Sequence, residues 1–190
     1  MARMQRFGRR IFAGAAASLP ALLIPGFAQA TLLRGLSLRD MAARSYHILH
    51  LTALDSQCSY ALIGGRRMIV TETRARVENV LAKSSPSAGE VLVRTLGGVL
   101  DGVGQLVHGQ AELVANAPSV AFLTRARDES LWVTGMAQGH FLISDGISGQ
   151  YLSASPHLPT LVDFEHSGVK TLTGLPLAEA RRLVNEAVPR

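Results

Sequence analysis

Cysteine is all but missing from this sequence: Cys58 stands alone, so no disulfide can close within one chain. Aromatic residues make up only 5% of the composition, with a single tryptophan, which leaves little from which to build a base-stacking platform. An excess of one charge is also missing once residues 1–30 are set aside. That segment carries Arg3, Arg6, Arg9 and Arg10 and no acid, leaving 15 of the 19 Lys and Arg against 14 Asp and Glu. A nucleic-acid binder keeps a basic face, and no such surplus remains, so nucleic acid is not expected as a partner. An uninterrupted apolar run of the ~20 residues that a membrane span needs is absent as well. Ser18, Pro20, Pro25 and Gly26 break the one candidate stretch, and no transmembrane segment is expected after it. HExxH, paired Cys/His zinc spacing, the phosphate-binding Gly-Lys-Ser/Thr and the G-x-S-x-G elbow are all missing. No catalytic residue and no cofactor is therefore assigned from motifs.

What is present begins with an address. Arg9-Arg10 precedes Ile11-Phe12-Ala13-Gly14, an Ala- and Leu-rich stretch runs to Phe27, and Ala28-Gln29-Ala30 places small residues where a signal peptidase reads. Residues 1–30 are expected to be a twin-arginine-like signal peptide, cleaved after Ala30, with the mature protein periplasmic or secreted. The remainder is long enough for one domain with its own core.

Leu38, Met41 and Ala42 fall on one face of a short helix with Ser37 as its N-cap, giving a helical lead-in over residues 31–45. A β domain is expected over 46–149. Tyr46 to Leu54 reads as a strand, continued from Gln57 to Ile63 as a second arm or after a bulge, and Gly64-Gly65-Arg66-Arg67 is a hairpin turn. From Ile69, small or apolar Thr71, Thr73, Ala75 and Val77 alternate with Glu72, Arg74, Arg76 and Glu78, the pattern of a half-buried antiparallel strand. Glu90–Thr95 and Ser119–Thr124 read as strands, and Leu131–Met136 with His140–Ser144 as a terminal pair. Residues 150–190 read as a loose segment followed by an amphipathic helix, opened by Pro176 and striped by Leu177, Ala180, Leu183, Val184 and Ala187. Five or six short strands with glycine-marked turns, flanked by two helices, predict a mainly β fold, a small antiparallel barrel or sandwich.

Several stretches in order carry a resemblance. They are Leu36-Ser37-Leu38, Val70-Thr71-Glu72-Thr73-Arg74, Val93-Arg94-Thr95-Leu96-Gly97-Gly98, Gly102-Val103-Gly104-Gln105 and Gly135-Met136-Ala137-Gln138-Gly139. Over residues 36–144 the chain resembles a family of uncharacterised exported bacterial proteins found in myxobacteria and other proteobacteria. The resemblance implies a small all-β, OB-like domain behind a signal, and no reaction. Where that family closes its second strand with a Lys-Gly pair, this sequence has Ala82-Lys83-Ser84.

Two sets of residues are candidates for a site. Arg66 and Arg67 on the hairpin, with Asp101, Gly102, Gly104 and Gln105 in the glycine-rich connection from Gly97 to Gly109, would form binding loops. Asp101-Gly102 reads as a turn with positive φ, and Gly104 as a constrained position. His140, Asp145, His157 and His166 would form a metal or proton-transfer cluster if the fold gathers them within about 4–5 Å. The first set points to an exported non-catalytic domain that binds another protein or an envelope component. The second points to a small periplasmic metal-binding protein or hydrolase, and a third reading is an accessory factor for an exported enzyme. Ser148 reads as a turn serine.

Overall fold

The computed structural model describes residues 32–147 and 149–189; the expected signal peptide and Ser148 lie outside them. About half of the chain is in strands, so the mainly β expectation holds. In chain order the strands are β1 (Leu33–Arg34), β2 (His47–Ile63), β3 (Arg66–Lys83), β4 (Glu90–Leu96), β5 (Gly98–Leu100) and β6 (Val103–Gln105). They continue with β7 (Pro118–Arg125), β8 (Leu131–Val133), β9 (His140–Gly146), β10 (Gly149–Ala154) and β11 (Leu161–Val162). The helices are α1 (Leu38–Arg44), α2 (Gly168–Leu172) and α3 (Leu177–Ala187).

Five strands close on themselves. β7 pairs with β2, β2 with β3 and β3 with β4, all antiparallel; β4 then pairs in parallel with β8, which returns antiparallel to β7. Each of the five strands is paired on both sides over part of its length, which closes the ring, while β2 beyond Thr52 keeps an unpaired edge. The hairpin of β9 and β10 extends from β7 beside the ring.

The chain folds this way because two strands are apolar on both faces. On β2, Leu49, Leu51 and Ala53 point into the ring and Ile48 points outward; on β7, Ala121 and Leu123 point in while Val120 and Phe122 point out. Fully buried strands read as continuous apolar runs rather than alternations, which describes Val120–Leu123. The inner residues join Ala75, Val91, Val93 and Val133 in the ring core. The outer ones join Met41, Phe141, Leu152, Leu172, Ala180 and Val184 in a second core beneath the three helices.

Local signals were mostly sound. Ser37 caps α1, its Oγ accepting from Asp40 N at 3.1 Å. Gly64 and Gly65 are both left-handed, at φ 58° and 78°, the turn that suits a tight two-residue hairpin. Asp101 and Gly102 repeat that geometry between β5 and β6, at φ 53° and 75°. Lys83 ends β3 at φ 69°, a conformation that glycine adopts without strain. Pro176 precedes α3, and Ala180 and Val184 are buried as its stripe requires.

Four expectations change. The β2–β3 hairpin is two long strands, not a set of short ones, with the bulge marked by register shifts including one between Ala53 and Asp55. β8 ends at Val133 because Gly135 and Met136 turn left-handed, at φ 68° and 61°; β8 pairs with β4 and β7, and not with β9. The segment after residue 149 is not loose: β10 runs to Ala154, so the β region crosses that boundary, and α2 packs Val169 and Leu172 into the second core. Gly104 has no positive φ and open space where a Cβ would stand. The constrained positions of this connection include Gly97, at φ 98°, where a Cβ would meet Gln105 O at 2.7 Å, and Gly98, at φ 129°, where it would meet Thr71 Oγ1 at 2.6 Å and Cys58 Sγ at 2.7 Å.

The motif Gly135-Met136-Ala137-Gln138-Gly139 acquires a structural role. Gln138 is buried, its Oε1 accepting from Leu36 N at 2.8 Å and its Nε2 donating to Arg34 O at 3.2 Å. It fastens the segment entering α1 to the ring.

Candidate cleft at the mouth of the ring

β2 and β3 outrun the other ring strands, so their inward face continues past the apolar core. The bulge at Ala53–Asp55 resets the parity of β2. Ser56 and Cys58 then face the same side as Thr71 and Thr73, their register partners being Thr73 and Thr71 respectively. Thr95 lies opposite Thr71 on β4. The inward surface thus passes from Leu51, Ala75 and Val93 to a patch of small hydroxyls and one thiol. Thr71 Oγ1 donates to Gly97 O at 2.7 Å, and Cys58 Sγ lies 3.4 Å from the same hydroxyl.

Two loops rise over this patch and enclose a cleft of about 660 Å³. One runs from Gly97 through β5, β6 and the segment to Leu113, with Ala111 and Leu113 anchored in the ring core. The other is the segment Pro156–Thr160. They meet where Gly109 lies against Pro159, and where His157 Nε2 comes within 2.7 Å of a Glu112 oxygen. Gln105 holds β6 down by accepting from Ile69 N at 3.0 Å. No lysine or arginine lines the cleft, whose polar groups are hydroxyls, amides, imidazoles and the Glu112 carboxylate.

The sequence-derived candidates divide between this cleft and other places. Gln105 lines it; Asp101 and Gly102 sit at the tip of the β5–β6 turn, and Gly104 lies on β6 outside the lining. Arg66 and Arg67 start β3 at the far tip of the long hairpin, where the Arg67 guanidinium stacks 3.7 Å over the Tyr60 ring. The histidines do not gather. His157 is at the rim of the cleft; His140 is buried in β9, and Asp145 is exposed near the β9–β10 turn, accepting from Gln150 at 3.4 Å. His166 lines a separate depression of about 380 Å³ with Arg34, Asp40, Arg44 and Asp163. Among the described residues, no group of three or more His, Cys, Asp or Glu is placed to hold a metal ion.

His140 is 1% exposed and neither ring nitrogen has a partner. Burial, and then the charge of nearby His157, pushes its pKa down to about 4, so the ring is neutral at ordinary pH.

On the opposite, outer face of β3 and β4 the charges neutralise one another. Arg74 bridges Asp55 and Glu90, Arg76 pairs with Glu78, and Arg94 pairs with both Glu72 and Asp128. Hydrogen bonding from Arg74 holds the Asp55 carboxyl below its ordinary range, and Arg94 is held charged by Glu72.

The hydroxyl floor escaped the sequence reading although its signal was visible. Thr71 and Thr73 occupy core-facing positions in the same alternation as Ala75 and Val77, and polar side chains at inward positions mark a place where the core stops. Glu112 and the Pro156–Thr160 wall gave no such signal. No protein-family model matches the chain, and no curated protein sequence matches it.

Proposed function

We propose that this chain is an exported, non-catalytic binding domain with an OB-like barrel, which holds an envelope component or another protein in the cleft at the mouth of its ring. The cleft carries this reading. It is concave, of a size usual for ligand sites, and polar at its floor where a barrel interior is ordinarily apolar. The order of the ring supports the barrel type: a five-stranded Greek-key ring closed by a parallel pair. No helix among the described residues is long and apolar enough to cross a membrane. Export rests on Arg9-Arg10, the interrupted apolar stretch and Ala28-Gln29-Ala30, together with the resemblance over residues 36–144.

Native mass spectrometry of the protein recovered from the envelope fraction of a producing bacterium tests both halves. The expected species starts at Thr31 and carries a bound molecule, which is lost when Ser56→Phe fills the exposed edge of the floor. Retention of residues 1–30 would overturn the export half. A molecule retained undiminished by Ser56→Phe would overturn the assignment of the cleft.

A further inference from the structure

Resting on the reading of the cleft as a binding site, we propose that its ligand is a neutral oligosaccharide. The polar side chains decide the class. Hydroxyls at Ser56, Thr73 and Thr95 both donate and accept, as does the amide of Gln110 taken whole, while Thr71, whose proton goes to Gly97 O, is left as an acceptor. Such a lining matches a ligand whose own groups both donate and accept along its length, which is the chemistry of sugar hydroxyls.

Charge argues in the same direction. An anionic ligand, whether phosphate, nucleotide or acidic glycan, needs compensating cations, and no lysine or arginine faces the cleft. A cationic ligand would find one carboxylate, Glu112, already engaged by His157. Bases would lack an aromatic surface to stack on, since no Phe, Tyr or Trp lines the site.

A peptide is disfavoured by the geometry of the floor. Extended peptides are commonly held by adding a strand to an open sheet edge. Here the floor is the face of β2, β3 and β4, which presents side chains, whereas an added peptide strand would take the unpaired edge of β2 beyond Thr52 instead. Pro156, Leu158 and Pro159 supply apolar wall opposite the hydroxyls, against which the C–H faces of sugar rings can lie.

The test is a titration of the purified, isotope-labelled protein followed by amide chemical shifts. The probes are cellotetraose, maltotetraose and tetra-N-acetylchitotetraose, with tetragalacturonate and tetraalanine as comparisons. The expected result is saturable shifts from a neutral tetrasaccharide at Cys58, Thr71, Thr95 and Gln110. Removing one hydroxyl, by Thr73→Val at the buried floor or Ser56→Ala at its exposed edge, should weaken binding roughly three- to tenfold. Ser56→Ala alters an exposed side chain and keeps the test valid if Thr73→Val fails to fold. Shifts at the cleft from tetragalacturonate or tetraalanine, with none from the neutral sugars, would overturn the ligand class and leave the cleft reading standing. No shift at the cleft from any probe would overturn the ligand class. If a whole envelope extract also left these amides unmoved, the cleft reading would fall with it.

Discussion

His140, opposite Ala121 in the β7–β9 ladder, is buried with two unsatisfied ring nitrogens, an arrangement tolerable only while the ring is neutral. Its sign of pH dependence follows. Folding lowers the proton affinity of the ring from an ordinary 6.5 to about 4, so between those values the unfolded chain binds the extra proton. Stability is therefore full above the upper value, falls as pH drops, and levels off below the lower one. The shift corresponds to a loss of at most about 3 kcal/mol. His140→Leu should flatten that part of the profile. Urea unfolding at pH 7 and pH 4.5 measures it: the parent should lose much more stability than the variant over this range, and equal losses would show that other groups drive the acid sensitivity. The exposed carboxylates Asp55, Glu78 and Asp128, all held below their ordinary range, also lose their partners on acidification, but only at lower pH.

At the scale of elements, the segment entering α1 is held in part by one distant side chain. Gln138 occupies a single turn of 3-10 helix between β8 and β9, and its two bonds reach Leu36 N and Arg34 O. Gln138→Leu keeps a similar volume but strands both backbone groups, at a cost on the order of 1–3 kcal/mol. The loss should be local. Hydrogen exchange should speed up across residues 33–44 while the amides of β2 and β7 keep their protection, and uniform acceleration would mean that Gln138 supports the ring itself. The same residue marks the limit of what could be read from sequence. Elements defined by neighbours along the chain were legible: the Ser37 cap, the Gly64-Gly65 and Asp101-Gly102 turns, and the α3 stripe. Elements defined by distant partners were not. β8 is three residues long and exists because Leu131 lies beside Val93 and Val133 beside Leu123, pairings that no local pattern announces. β10 buries only Leu152 fully, too little alternation to betray a strand. The cleft follows the same rule, since its floor was written in the parity of β3 whereas its walls come from segments that meet only in three dimensions.

For the whole molecule, the question is whether two cores make two cooperative units. The ring core and the core under the helices share no buried residue, yet both are built on β2 and β7. Phe122 and Leu123 are adjacent in sequence and serve opposite sides of one strand. Releasing the helices would expose Ile48, Val120 and Phe122, and those side chains cannot find new cover while β2 and β7 stay paired in the ring. Each fully buried apolar side chain contributes about 1.5–3 kcal/mol, so exposing these three costs about 5–9 kcal/mol, comparable to a domain's usual margin of stability. The molecule should therefore unfold in one transition. Trp132 on β8 reports the ring, its Nε1 donating to Ser130 Oγ at 2.8 Å, and it is the only tryptophan of the chain. Helical circular dichroism reports α1, α2 and α3, which belong to the other core. The two signals should give one urea midpoint, and Val184→Ala, which thins only the helical core, should move both together by an amount matching about 2 kcal/mol. A helical midpoint that falls while the Trp132 midpoint stays would separate the layers, and the ring would then be a domain that stands without its helices.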